Sequence, residues 1–128
     1  MTGSLISEEI KYEESNNLKN NTETLENKVT ADMITDYINK LDEVTLEDTI
    51  DLMKSDDYQI RFIAEYIQTK IRYDRLYKML IKYEANTLEF EIPEDRICTL
   101  DSQLYYMNEY LKTLEVRAEL ENIKLPNI

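Results

Sequence analysis

The feature that most constrains this chain is its lack of glycine, since only one stands among 128 residues. Neither glycine nor proline interrupts the stretch from Tyr58 to Glu84, which as a helix would extend about 40 Å. Dinucleotide-binding fingerprints and P-loops need several glycines for tight turns and close approach to phosphate. Sandwiches and barrels also need many turns. The sequence therefore predicts an all-α fold.

The absence of histidine and the single cysteine exclude several kinds of chemistry. Without histidine, neither a Ser-His-Asp triad nor a zinc site of the usual ligand types can form. One cysteine cannot form an internal disulfide, which fits a reducing compartment. We predict that Cys98 is a small buried residue and expect no metal or cofactor. An enzyme is the least favoured class.

The first 28 residues differ in composition from the rest. They are rich in Asn, Glu, Ser and Thr, and their apolar residues are widely spaced. Such a segment buries too little apolar surface to offset the entropy of ordering, so we predict a disordered or weakly helical acidic tail over residues 1–28. No pattern typical of a signal peptide or of a membrane-spanning helix is present. Residues 29–128 are predicted to form a single helical domain.

Start signals predict two short helices within residues 29–54 and a long helix within residues 55–84. Thr30 is placed to cap the first short helix, and Thr45 with Asp48 forms a capping-box pattern for the second. Ser55, Asp56 and Asp57 provide the same kind of start for the long helix.

Residues 85–98 are predicted to form a loop before a second long helix at residues 99–123. Asn86 can adopt left-handed cap geometry, and the alternating apolar residues from Leu88 to Ile92 predict a short extended segment that ends at Pro93. The last helix has apolar residues at 4-3-4-3-4 spacing and is expected to stop before Pro126. Its apolar residues are Leu100, Leu104, Met107, Leu111, Leu114 and Ala118. The two long helices predict an antiparallel hairpin.

The first long helix carries two apolar stripes. One is sufficient to face the partner helix of a hairpin. The second must be covered either by the short helices or by another protomer, and a homo-oligomer is predicted on this basis. The second stripe consists of Ile60, Ile63, Ile67 and Ile71.

The same helix reverses the charge of the whole chain. The chain has a net charge of −12, yet six bases oppose two acids between Arg61 and Lys82. Tyr66, Lys70, Tyr73 and Tyr77 follow one another at helical spacing, so they share a face. Aromatic rings and cations together suit a nucleotide. Alternatively, the tyrosines belong to the core and the bases form ion pairs with acids of neighbouring helices. The net charge argues against long nucleic acid, but not against a small anionic ligand.

Two segments, residues 55–80 and 102–123, resemble a group of small helical phage proteins. The second contains a pattern that reads here as Gln103, Leu104, Met107, Tyr110, Leu111, Leu114 and Arg117. The group includes relatives of a crAss-like phage gene product and the anti-CBASS sponges, which sequester cyclic oligonucleotides. The resemblance implies a homo-oligomer that holds its ligand between protomers in the host cytoplasm and performs no chemistry. By position, Lys70 matches the lysine that contacts phosphate, and Tyr58 matches the stacking aromatic.

Arg61 lies one turn beyond Tyr58, and this spacing makes it a further phosphate partner. The leading hypothesis is a phage anti-defence protein that sequesters a cyclic oligonucleotide or related nucleotide second messenger. The alternative is an acidic helical interaction protein that inhibits a host protein, for example by imitating nucleic acid.

Overall fold

The computed structural model describes residues 28–128, and these residues form helices and loops with no strand. We label the helices α1 (Ala31–Asn39), α2 (Ile50–Met53), α3 (Tyr58–Glu84) and α4 (Glu94–Glu121). A 3-10 turn at Leu46–Thr49 leads into α2. Two short helices followed by a long helix pair confirm the predicted all-α class. The predicted tail at residues 1–28 lies, apart from Lys28, outside the described residues.

Capping side chains set the helix starts where the sequence predicts them. Thr30 Oγ1 accepts the backbone N–H of Met33 at 3.2 Å and begins α1. Thr45 and Asp48 form the predicted capping box, in which the N–H of Thr45 donates to Asp48 Oδ2 at 2.8 Å. Asp57 caps α3. These bonds satisfy backbone donors that a helix start otherwise leaves without partners.

The predicted start of the last helix is wrong. Helix α4 begins at Glu94 and not at Thr99, because Pro93 serves as its N-cap and Glu94 and Asp95 lie in the first turn. Acids in this position are stabilised by the positive end of the helix dipole. The alternating residues before Pro93 form a loop, without strand pairing in the described chain.

The end of α4 is also set differently from the prediction. Asn122 adopts a left-handed conformation with φ 56°, which ends the helix at Glu121. A residue in this conformation redirects the chain after a helix. Pro126 lies farther along, buried in the C-terminal segment, and does not stop the helix. Asn86 after α3 has the predicted left-handed geometry, with φ 63°.

The core lies where the first half of α3 meets the short helices, α4 and the C-terminal segment. The second apolar stripe of α3 faces this core, so elements of the same chain cover it. Gln68 adds a polar contact, as its amide donates to Thr49 Oγ1 at 2.9 Å. The buried cluster contains Ala31, Ile38, Ile60, Phe62, Ile63, Tyr66, Ile67, Leu111, Leu114, Ala118 and Ile123.

The C-terminal segment, residues 123–128, returns over α1 and is bonded to it. The hydroxyl of the buried Thr35 donates to the carbonyl of Lys124 at 2.6 Å. The ammonium of Lys124 pairs with Asp36 at 2.8 Å, which lowers the pKa of the Asp36 carboxyl. The N–H of Asn127 donates to Asn39 Oδ1 at 2.8 Å. The segment thereby holds α1 against the hairpin.

The far half of the hairpin is thinly packed. We call residues 72–110 the arm; it comprises the second half of α3, the loop and the first half of α4. Leu80 is the only buried residue in the arm. Cys98 is exposed there, so its predicted burial is wrong. The reason is that the two helices pack against each other along one face only, and within residues 28–128 no third element covers them here.

No helix among the described residues is both long and apolar enough to cross a membrane.

Candidate functional site

Three of the predicted site residues lie together in the middle of α3. Lys70 Nζ lies 5.6 Å from the centroid of the Tyr73 ring. The Tyr73 and Tyr77 rings are stacked, with centroids 6.0 Å apart and planes inclined by 21°. Helical spacings of three and four residues bring these side chains to one side of the helix. We call Lys70, Tyr73 and Tyr77 the central set: it places a cation beside two aromatic rings.

Asp74 restrains the cation of the central set. Its carboxylate lies 3.5 Å from Lys70 Nζ, and both side chains are partly exposed. An anionic ligand that reaches Lys70 therefore competes with this carboxylate. An ion pair of this exposure contributes little free energy, on the order of 0.2–1 kcal/mol, so the competition is weak.

Lys70 and Asp74 also line a cavity of about 240 Å³ between α3, the loop after α1 and the C-terminal segment. Its lining mixes aliphatic side chains and asparagines with the charged residues Asp42, Lys70 and Asp74. With one basic and two acidic side chains, the cavity gives an anion little net attraction apart from Lys70 itself. The lining residues are Ile38, Asn39, Leu41, Asp42, Val44, Lys70, Ile71, Asp74, Asn127 and Ile128.

Tyr77 borders a second cavity, of about 250 Å³, between α3 and α4 in the arm. Two tyrosine rings and aliphatic side chains form most of its lining, and its only charged lining residues are Glu84 and Asp101. With two carboxylates and no base, this cavity repels a phosphate and accommodates apolar or ring-shaped groups.

Tyr66 lies in the core and does not present its ring to solvent. Its side chain is 6 % exposed, and its hydroxyl donates to Glu115 Oε2 at 2.9 Å. Burial, followed by this hydrogen bond, raises the pKa of Tyr66 to about 12. Its ring packs in the base of the hairpin, between α3 and α4.

Tyr58 and Arg61 form a separate group at the start of α3. The Tyr58 hydroxyl bonds to Glu121, which raises the pKa of Tyr58 to about 12, and Arg61 donates to the carbonyl of Ser55. Tyr58 and Lys70 are twelve positions apart, or about 18 Å along the helix. Within one chain the two groups are therefore separate sites on α3.

Among the described residues, the most exposed tyrosines belong to α4 and are absent from the predicted set. Tyr105 and Tyr106 are 60 % and 68 % exposed, and their rings meet edge to face with centroids 5.4 Å apart. A signal was available in the sequence, because both residues fall outside the 4-3 spacing of the apolar residues in this helix.

Comparison with known proteins identifies the family. The family model described as Sequestin matches residues 56–120, about half of the chain. The match covers α3 and nearly all of α4, and it excludes α1, α2 and the C-terminal segment. No curated protein and no solved structure matches the chain. Sequestins are anti-CBASS cyclic-nucleotide sponges, which bind and do not catalyse, so the predicted relation to such sponges is confirmed. The chain belongs to the Sequestin family.

Proposed function

We propose that this protein is a phage anti-defence protein that acts in the host cytoplasm. It binds a cyclic oligonucleotide or related nucleotide second messenger, and by sequestering it blocks host immune signalling. The observation that carries the proposal is the central set, where Lys70 Nζ lies 5.6 Å from the centre of a stacked tyrosine ring within the Sequestin-matching segment.

Each part of the central set has a role in this proposal. Tyr77 is 46 % exposed and offers a ring face on which a base stacks. Lys70 donates a charge-assisted hydrogen bond to a phosphate of the ligand. The phosphate takes the place of the Asp74 carboxylate as the partner of the Lys70 ammonium. Tyr73 lies between the two and positions both by stacking and by its contact with the ammonium.

Tyr58 and Arg61 are proposed as a second group of ligand contacts, with Tyr58 stacking and Arg61 binding phosphate. Because this group lies about 18 Å from Lys70 along α3, we propose that a ligand held between protomers takes its two groups of contacts from different chains. The proposal therefore includes a homo-oligomer. Tyr66 is buried, and we assign it a supporting role in holding α3 against α4.

Titration calorimetry with a panel of cyclic dinucleotides, cyclic trinucleotides and cyclic ADP-ribose isomers tests the proposal. We expect a member of the panel to bind with a micromolar or lower Kd and to be recovered unmodified. Lys70→Ala should weaken binding by about 1–3 kcal/mol, the value of a lost charged hydrogen bond. The matched control is Lys112→Ala, because Lys112 is an exposed lysine of α4 in an ion pair of its own.

Three outcomes would contradict parts of the proposal. A panel without any binding would overturn sequestration, and a chemically altered ligand would indicate an enzyme. If Lys70→Ala and Tyr77→Ala leave the affinity unchanged while Tyr58→Ala reduces it, the central set is not the contact and the group at the start of α3 is.

A further inference from the structure

The arm exposes a concentration of large apolar side chains. Single exposed hydrophobic residues are ordinary, but six of the thirteen large ones exposed within residues 28–128 belong to the arm, where Leu80 alone is buried. The core at the other end of the hairpin has a third layer of short helices, and no described residue forms such a layer over the arm. The six residues are Tyr77, Ile81, Phe90, Tyr105, Tyr106 and Tyr110.

The two helices of the arm carry opposite charge. The part of α3 in the arm has four exposed bases, Arg72, Arg75, Lys78 and Lys82, against the two acids Asp74 and Glu84, which leaves it net basic. The part of α4 in the arm has the exposed acids Glu94, Asp95, Asp101 and Glu109, with Arg96 as its only base. None of the four α3 bases takes part in an ion pair within residues 28–128. The arm therefore has a basic helix and an acidic helix side by side.

We infer that the arms of two copies of this chain pack against each other, with α3 of one copy along α4 of its partner. A two-fold axis makes this contact twice, so the bases of each copy meet the acids of the other. The exposed apolar side chains of the arm become covered, apart from Tyr77, whose ring stays available to the ligand. The result is a four-helix arrangement. A second copy fits better than an unrelated protein because the arm itself carries both halves of the charge match.

This inference rests on the homo-oligomer of the proposed function and names its surface. Tyr77 belongs both to the arm and to the central set, so the contact between copies adjoins the ligand contacts. Tyr58 and Arg61 lie at the opposite end of α3, outside this surface.

Charge reversal in two complementary variants tests the surface. Lys78→Glu/Lys82→Glu makes both helices of the arm acidic, and Asp95→Lys/Asp101→Lys makes both basic. Like charges then face each other in either homodimer, whereas a mixture of the two variants places opposite charges together. Native mass spectrometry and sedimentation report association without ligand, and circular dichroism reports whether each variant keeps its helices.

We expect the wild type to associate, each variant alone to raise the Kd of association more than about tenfold, and the equimolar mixture to recover a heterodimer. Lys40→Glu/Lys54→Glu is the matched control, because both lysines are exposed and lie outside the arm. It should associate as the wild type does. A monomeric wild type, variants that associate normally, or folded variants that fail to recover association when mixed would each overturn the inference.

Failure of the inference can be distinguished from failure of the proposed function. If the wild type associates through its arms yet binds no nucleotide, the inference stands and the proposed function fails. If the wild type binds nucleotide and the charge-reversal variants associate as strongly as the wild type, the inference alone fails.

Discussion

The hydroxyl of Tyr58 donates a hydrogen bond to Glu121 Oε1 at 2.5 Å and joins the first turn of α3 to the last turn of α4. The second oxygen of the same carboxylate accepts Arg117 Nε–H at 3.0 Å. About two turns farther along α3, the hydroxyl of Tyr66 donates a similar hydrogen bond to Glu115 of α4. Two tyrosine–glutamate bonds thus hold the base of the hairpin together, and both depend on phenols that keep their protons.

The stability of the fold should fall as the pH rises from about 10, the ordinary pKa of tyrosine, towards 12. The Glu121 hydrogen bond for Tyr58, and burial for Tyr66, raise both pKa values to about 12. Groups with a raised folded-state pKa give stability that is complete below the unfolded-state pKa and is lost as the pH rises through the folded-state value. Urea unfolding across this range should show a shallower fall for Tyr58→Phe/Tyr66→Phe. An equal fall would contradict these roles.

Removing the hydroxyl of Thr35 should loosen the C-terminal segment. Thr35→Val keeps the shape of the side chain but leaves the Lys124 carbonyl without its 2.6 Å donor. The expected loss is about 0.5–1.5 kcal/mol of unfolding free energy, the net value of a typical intramolecular hydrogen bond. Thr35→Ser retains the hydroxyl and serves as the control in the same urea titration. A larger loss in the serine variant would mean that the methyl group matters more than the bond.

Two isoleucines of α3 should differ sharply when truncated. Ile67 is fully buried in the core, and Ile67→Ala should cost about 2–5 kcal/mol. Ile81 is 48 % exposed in the arm, and Ile81→Ala in dilute protein should cost less than about 1 kcal/mol. Both values come from denaturant unfolding at low protein concentration. Equal costs would show that the arm is as well packed as the base.

Removing the carboxylate beside Lys70 should strengthen ligand binding. Asp74→Asn frees the ammonium from its 3.5 Å partner, so a phosphate no longer competes for it. We expect affinity to rise about two- to fivefold, the free energy of an exposed ion pair. Asp51→Asn, on α2, makes the same change in net charge at an exposed position and controls for long-range attraction. Weaker binding by Asp74→Asn would argue against phosphate contact at Lys70.

The sequence predicts features whose causes are local. The caps at Thr30, Asp48 and Asp57 and the left-handed Asn86 act within a few residues of their own backbone, so spacing alone indicates them. The start of α4 is also a local feature, but its signal is ambiguous. Pro93 suits both the end of an extended segment and the cap of a helix, and the two acids that follow Pro93 favour the helix.

Features that depend on distant residues were beyond prediction from spacing. Tyr58 meets Glu121 across 63 positions and Tyr66 meets Glu115 across 49, and no periodicity indicates either pair. The burial of Tyr66 and the exposure of Tyr77 follow from where the third layer ends along α3. The helical wheel groups Tyr66, Lys70, Tyr73 and Tyr77. The structure brings the last three together within two turns of one helix, whereas Tyr66 belongs to the core.

The unequal packing along α3 gives this single unbroken helix two dynamic regimes. Amides near Ile63 and Ile67 lie under fully buried side chains, so their hydrogen exchange requires opening of the whole domain. Amides near Ile81 have few buried neighbours, and local fraying of the hairpin tip is enough to expose them. In an isolated chain, exchange protection should therefore decline steadily from the middle of α3 to its end.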